Sequence, residues 1–259
     1  MNPAYLPPLA NHLWQATLFA GLAGLLTLAL RKNHARVRHW LWVAASLKFL
    51  IPLSVLIMLG GEIAWRTPAT TQSNLTVVMD EISRPFTAPA LSPPLLAATP
   101  PATNPLAPVL SCIWACGFIG ITGSWWIRWR RIRAAVGEAS PVQIAAPIPA
   151  RSSPAPLEPG VFGVFRPVLL LPEGIFDRLT PAQLRAVIAH ELCHVRHRDN
   201  LMAAIHMFVE TAFWFHPLVW WIGKRMVEER EHACDEEALR LGSEPRAYAE
   251  GILNVAGST

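Results

Sequence analysis

Residues 180–200 read TPAQLRAVIAHELCHVRHRDN, and this stretch decides the fold around it. Thr180 is a typical helix N-cap, Pro181 suits the first helical position, and Gln183 can complete a capping box. The residues that follow are largely apolar up to position 189. We therefore predict a helix that starts at Thr180 and continues through the residues of this stretch.

Three residues on this predicted helix indicate a metal site. His190 and His194 are four positions apart, so they project from the same helix face. Two imidazoles at that spacing can bind one Zn²⁺, and Glu191 can reach a metal-bound water from the side. The simpler alternative is a pair of core or solvated histidines, but it does not explain a carboxylate on an apolar helix. Cys193 lies within the motif, and we interpret it as a small packing residue.

A third ligand is needed, and a charged stretch downstream offers two carboxylates for it. Residues 227–239 read VEEREHACDEEAL, and Glu231 and Asp235 are four apart, on one helix face. One of them could bind the metal while the other orients a ligand histidine. The alternative is an ordinary solvated helix. Cys234 falls where the helical period turns it away from this face, so we interpret it as packing as well.

The composition of the whole chain favours a membrane protein. Of its 259 residues, 52% are hydrophobic and only 15% are charged, and the mean hydropathy is +0.31. A soluble domain has about 25% charged residues. Three apolar runs, at about 6–30, 40–61 and 106–127, are long enough to cross a bilayer. We predict three spanning helices within a membrane domain of residues 1–133.

The positions of the basic residues predict the orientation. Arginine, lysine and histidine are concentrated in 31–38 and 128–133, whereas 62–105 has two arginines and no lysine. By the positive-inside rule, 62–105 is an external loop, the N-terminus is outside, and the chain after 133 is cytoplasmic. The net charge of +4 is thus a topology signal, and we expect no direct nucleic-acid partner.

The remaining residues predict a linker and a second domain. Residues 134–160 include a stretch rich in Pro, Ala and Ser, which predicts a linker with little structure. Residues 162–171 read FGVFRPVLLL, which predicts short strands at the start of a domain spanning 161–259. Residues 201–223 are apolar, but a single crossing there would separate His190 from Glu231 across the membrane. We therefore predict a non-crossing hairpin, broken near His216–Pro217.

Taken together, these segments resemble the BlaR/MecR-type antirepressor membrane metallopeptidases. The resemblance covers nearly the whole chain and rests on several stretches. They are LWQATLFAGLAGLLTLALR at 13–31, RHWLWVAASLKFLIP at 38–52, FGVFRPVLLLPEGI at 162–175, QLRAVIAHELCHVRHRDN at 183–200, FHPLVWW at 215–221 and EREHACDEEAL at 229–239. The fold it implies is a mainly α integral membrane protein with a cytoplasmic, zincin-like α+β peptidase domain.

The resemblance also assigns roles to the site residues. It implies one Zn²⁺ bound by His190, His194 and Glu231, with Glu191 as general base and acid. Asp235 matches an aspartate that orients a ligand. Asp199 matches as well, with a helix cap as its alternative role.

By the same resemblance, the chain is a multi-pass protein of the bacterial cytoplasmic membrane that cleaves itself or a cytoplasmic repressor. Two alternatives stay open. One is a non-catalytic transducer that keeps zinc for stability, and the other is a quality-control membrane metalloprotease. The sequence printed has no fourth span and no Ser-x-x-Lys motif, so we expect no β-lactam sensing by these residues.

Overall fold

The chain is mostly helical, with one small sheet. The computed structural model describes residues 6–52, 82, 85–86, 106–144, 146–154, 158–241 and 244–256. The helices are α1 Leu6–Ala29, α2 Ala35–Leu50, α3 Leu106–Glu138, α4 Ile175–Arg178, α5 Pro181–His197, α6 Asp199–Ala212, α7 Pro217–Arg240 and α8 Pro245–Ala256. The strands are β1 Ser140–Val142, β2 Ala150–Ser153, β3 Gly160–Phe162 and β4 Val168–Pro172.

The four strands form one sheet in the order β1-β2-β4-β3. β2 and β4 are parallel, and the two outer pairs are antiparallel. The apolar residues of β4 pack with α5 in one core, which includes Leu169, Leu171, Val187 and Ile188. The sheet thus supports the helix that carries the two histidines.

The prediction of a linker with little structure at 134–160 is wrong where β1 and β2 lie. The apolar strand β4 is central in the sheet and needs a backbone partner on each side, because unpaired buried peptide groups are costly. β2 supplies one of these partners, with Ala150 opposite Leu169 and Ser153 opposite Pro172. Long-range pairing of this kind overrides the local composition.

Two of the described helices are long and apolar enough to cross a membrane, namely residues Pro7–Ala29 and Pro108–Glu138. The predicted second span at 40–61 coincides in part with α2, which ends at Leu50. Ile51 has extended backbone angles because Pro52 follows it. Residues 53–61, and nearly all of 62–105, lie outside the described part of the chain.

The apolar segment 201–223 is two helices rather than one. α6 ends at Ala212, and α7 begins at Pro217, directly after His216. The two helices share a core with α1 and α2, and its buried side chains include Trp42, Phe49, Val209, Val219 and Ile222. α2 packs against both α1 and α7. This arrangement connects the helices near the N-terminus to the helix that carries Glu231.

A buried polar cluster joins α2, α6 and α7. His206 Nδ1 lies 2.8 Å from Ser46 Oγ, and its Nε2 lies 3.2 Å from Glu210 Oε1. A Cβ added at Gly223 would overlap with His206 Nε2 and lie 2.8 Å from Glu210 Oε1. Glycine at this position is therefore what allows α7 to approach α6.

Gly223→Ala should destabilise the protein by about 1–3 kcal/mol, because the added methyl group overpacks this contact. We expect a lower apparent melting temperature in detergent. Gly120→Ala is the matched control, since a Cβ there has no neighbour within 4 Å. Equal melting temperatures for the two variants would refute the close approach of α6 and α7.

Candidate metal centre

The helix that carries the two histidines begins as its sequence predicts. Thr180 Oγ1 accepts a hydrogen bond from the backbone N–H of Gln183 at 3.3 Å, and Gln183 Oε1 accepts one from the Thr180 N–H at 3.0 Å. This is a complete capping box, and Pro181 occupies the first helical position. The cap sets where α5 starts, which fixes the direction in which His190 and His194 point.

Glu231 on α7 faces the same nitrogen atom of both histidines. Its Oε2 lies 3.4 Å from His190 Nε2 and 3.7 Å from His194 Nε2. Two nitrogen or oxygen ligands on one tetrahedral zinc ion are about 3.3–3.4 Å apart, from bond lengths of about 2.0–2.1 Å. The three side chains are among the groups with donor atoms close enough to hold one metal ion. Their spacing fits zinc.

The opposite ring nitrogen of each histidine contacts an aspartate. His190 Nδ1 lies 3.2 Å from Asp235 Oδ1, and His194 Nδ1 lies 2.7 Å from Asp199 Oδ2. An ionised carboxylate can only accept, so each Nδ1 donates, and each Nε2 keeps its lone pair for a metal. Metal-binding histidines usually have such a carboxylate partner. In this geometry Glu231 faces the Nε2 atoms of both histidines, and Asp235 faces the opposite ring nitrogen of His190.

Asp199 reaches His194 because the helix is interrupted at a single residue. α5 ends at His197, α6 begins at Asp199, and Arg198 between them has φ 57° and ψ 39°. Among the described residues it is the only non-glycine residue with positive φ. This left-handed conformation costs an ordinary residue about 1–2 kcal/mol. This break brings the buried Asp199 beside the histidine five positions earlier.

Tyr248 on α8 is a site residue that the sequence did not indicate. Its hydroxyl lies 2.7 Å from His190 Nδ1 and donates to Asp235 Oδ1. The ring is buried, and α8 packs against α5. Tyr248 lies 58 residues after His190, and no motif connects them, so only the tertiary structure could identify it.

The electrostatics of the cluster match this arrangement. Burial lowers the pKa of His190, but hydrogen bonds to Asp235 and Glu231 and the charge of Glu191 raise it to about 10. Burial raises the pKa of Glu231, while its contacts with His190 and Arg230 lower it to about 2. Without a metal, a proton on His190 therefore balances the carboxylates. A dication would take over that role.

Glu191 lies beside these groups in an open cleft of about 530 Å³. The cleft is lined by residues of β3 and the chain before it, of α5, and of α7, together with Asn200 and Ile252. Burial raises the pKa of Glu191, and the two neighbouring histidines partly offset this effect. A carboxylate that is easily protonated suits a group that accepts and then returns a proton.

This geometry agrees with a comparison of the sequence with protein families. Residues 11–259 match the family described as BlaR1 peptidase M56. The chain belongs to the BlaR1 peptidase M56 family. This membership confirms the predicted resemblance and makes the chain a member of a peptidase family.

Curated relatives agree with the family assignment. The Regulatory protein BlaR1 of Bacillus licheniformis is 34% identical over 88 residues, which are 34% of this chain and 14% of that protein. The Methicillin resistance mecR1 protein of Staphylococcus aureus is 30% identical over 98 residues, or 37% of this chain and 17% of the relative. Protease HtpX homolog 2 of Methanosarcina acetivorans is 50% identical over 44 residues, or 17% of this chain and 15% of the relative. The matches therefore span under a fifth of these proteins.

Asp199→Asn should weaken zinc binding by about 10–100-fold, the usual effect of losing a partner of a ligand histidine. The amide is nearly the same size, but it no longer gives His194 an anionic acceptor. Competition with a chromogenic chelator measures the affinity. Asp177→Asn, at an exposed position, is the control and should bind as tightly as the unmodified M56 chain. Equal affinities for the two variants would exclude the orienting role of Asp199.

Tyr248→Phe should reduce zinc affinity by about 2–10-fold, because one hydrogen bond contributes about 0.5–1.5 kcal/mol. The phenyl ring keeps the packing of α8 on α5, while the contacts to His190 and Asp235 are lost. The same chelator competition applies. An unchanged affinity, with the melting temperature also unchanged, would show that the hydroxyl does not support His190.

Proposed function

We propose that this chain is a membrane-embedded zinc endopeptidase and that it acts in signal transduction. In this proposal His190, His194 and Glu231 bind one Zn²⁺, and Glu191 is the general base and acid. The observation that carries it is the position of Glu231 Oε2 opposite both Nε2 atoms, beside Glu191 in one cleft. A purely structural zinc site would have no use for the Glu191 carboxylate.

The residues of the cleft would divide the reaction among them. Zinc, when bound, would supply Lewis-acid polarisation of the scissile carbonyl and lower the pKa of the attacking water. Glu191 would take the proton from this water and return it to the leaving amine. Arg230 lines the cleft, and its ion pair with Glu231 Oε1, at 2.6 Å from Nη2, holds its guanidinium beside the proposed ligand, where it would help to stabilise the developing oxyanion. His232, also on α7, is exposed and does not line the cleft, so Arg230 is the stronger candidate for this role.

The shape of the cleft favours an extended polypeptide as substrate. One wall is β3, which pairs with β4 on one side, and Val161, Phe162, Val187 and Ile252 add apolar surface. The outer edge of β3 is partly occupied, because Asn200 Nδ2 donates to the carbonyls of Val161 and Gly163 at 3.0 Å each. The substrate would therefore lie along the wall between β3 and α5, held by side-chain pockets as well as by backbone pairing.

A contact between α2 and α7 supports a cytoplasmic location for the site. The basic segment 31–38 is predicted on the inner side of the membrane. Arg38 Nε lies 2.8 Å from Glu229 Oε2, and Glu236 accepts from the Ala35 N–H at 3.2 Å. Both acidic residues are on α7, on either side of Glu231. We propose that the metal centre lies on the same side as this basic segment, in a multi-pass protein of the cytoplasmic membrane.

The proposed substrate is a cytoplasmic repressor or the chain itself. The support is the similarity to relatives that are named as regulatory and resistance proteins. A non-catalytic transducer is the alternative if zinc is bound but nothing is cleaved. A quality-control protease is supported by the local similarity to Protease HtpX homolog 2, but that similarity covers 17% of this chain.

The test is cleavage by the purified chain in detergent. An unfolded protein such as β-casein is incubated with the zinc-loaded chain, and new N-termini are identified in both proteins by mass spectrometry. We expect cleavage that stops with a chelator and returns with added zinc. Bound zinc without cleavage of either protein would favour the transducer instead.

A further inference from the structure

A second group of metal-ligating side chains lies next to the first. Cys193 and Cys234 are fully buried, and their sulfur atoms, together with His197, form another group whose donor atoms all lie within 4.8 Å of one another. All three positions are three residues after a residue of the first group: 193 after 190, 197 after 194, and 234 after 231. The second group therefore repeats the first about one turn further along the same two helices.

Both buried cysteines contact polar groups. Cys193 Sγ lies 3.4 Å from His197 Nδ1, and Cys234 Sγ lies 3.4 Å from His194 Nδ1. The prediction that the helical period turns Cys234 away from the metal-binding histidines is thus wrong. The interpretation of both thiols as packing residues stays a prediction. The helical period describes one helix, whereas this contact arises from the packing of α5 on α7.

The three donor atoms lie within 4.8 Å of one another, which leaves room for one thiophilic metal ion. Sulfur and nitrogen ligands on a tetrahedral zinc ion are about 3.6 Å apart, from bond lengths of about 2.3 and 2.0–2.1 Å. The separation of Cys193 Sγ and His197 Nδ1, 3.4 Å, is close to that value. Two thiolates would also neutralise Zn²⁺, which matters at a site where an unbalanced charge is costly.

A carboxylate orients this third histidine too. His197 Nε2 lies 2.8 Å from Glu237 Oε2, so Nδ1 keeps its lone pair on the side of Cys193. Glu237 Oε1 is itself held by Arg196 at 2.7 Å. The arrangement matches that of His190 with Asp235 and of His194 with Asp199, in which one ring nitrogen is bonded to an acid and the other is available to a metal.

We propose that Cys193, His197 and Cys234 bind a second zinc ion, with Glu237 orienting His197. This ion would join α5 to α7 beside the first centre. Because α5 and α7 also carry His190, His194 and Glu231, it would hold the spacing on which the first site depends. The inference is independent of peptidase activity.

Zinc counting tests it. The full chain is purified in detergent, equilibrated with buffered zinc, and its metal content per protein is measured by plasma mass spectrometry. We expect two zinc ions for the unmodified chain and one for Cys193→Ser/Cys234→Ser. Cys112→Ser/Cys116→Ser is the matched control, because these thiols are exposed on α3, and it should keep two. If the unmodified chain and the Cys193→Ser/Cys234→Ser variant each bind one zinc ion, the proposal is overturned.

The absorption spectrum of the cobalt-loaded, unmodified chain tests the second site without depending on the folding of a variant. Co²⁺ in the second site should show thiolate-to-metal charge-transfer absorption in the near ultraviolet, whereas the first site offers only nitrogen and oxygen. Absence of this absorption in the cobalt-loaded chain would also refute the second site. If the first site proves empty instead, one zinc ion and the thiolate absorption should remain, and both should disappear in Cys193→Ser/Cys234→Ser.

Discussion

Glu191→Gln should reduce peptide cleavage by at least about 10²–10⁴-fold while the chain keeps its zinc. The amide has almost the same shape as the carboxylate, but it cannot accept the proton of the attacking water, and general acid–base catalysis contributes about this factor. Glu191 is not among the groups that converge on the Nε2 atoms, so metal binding should not depend on it. Initial rates on β-casein, with zinc content measured on the same samples, check both expectations.

The control for this variant is Glu173→Gln, at an exposed position that does not line the cleft. It should cleave at the rate of the unmodified chain. If Glu191→Gln also cleaves at that rate, Glu191 is not the general base. If it loses its zinc, the carboxylate supports the metal site, and the division of roles proposed for α5 is incorrect.

Glu231→Gln should abolish cleavage by lowering zinc affinity at the first centre by at least about 100-fold. Loss of an outer partner already costs about 10–100-fold, and Glu231 is the proposed ligand itself. Its pKa of about 2 shows how strongly the surrounding cations favour the ionised form, which the amide cannot supply. Chelator competition gives the affinity, and added zinc at high concentration should partly restore cleavage.

Glu228→Gln is the control on the same helix. Glu228 is half-buried and pairs with Arg225 at 2.7 Å, one turn before Glu231. We expect zinc affinity and cleavage to be unchanged. A Glu231→Gln chain that binds zinc as tightly as the Glu228→Gln chain would exclude Glu231 as a ligand, and Asp235 would then have to be reconsidered.

The sequence predicts those parts of the site that are local. The capping box at Thr180 and the i, i+4 spacing of His190 and His194 depend on interactions within one helix, and the pattern shows them directly. Glu231 and Asp235 could be identified as a pair from their spacing. The residues alone could not distinguish ligand from orienting group, because that depends on how α7 packs against α5.

The remaining features depend on contacts between distant segments or on unusual backbone. The break between α5 and α6 at Arg198 positions Asp199, but it occurs in a left-handed conformation that favours glycine or asparagine, and an arginine gives no sign of it. Tyr248 reaches His190 through the docking of α8. β2 forms within a Pro-rich stretch because β4 needs a second neighbour. None of these three features leaves a periodic pattern in the sequence from which it could be predicted.

The most direct test of the first metal centre is its position in the zinc-loaded chain by anomalous scattering at the zinc absorption edge. We predict an anomalous peak about 2.0–2.2 Å from His190 Nε2, His194 Nε2 and one carboxylate oxygen of Glu231. The absence of an anomalous zinc peak between these three side chains would contradict the central claim. A zinc peak at the two histidines with the Glu231 carboxylate out of bonding distance would contradict it as well.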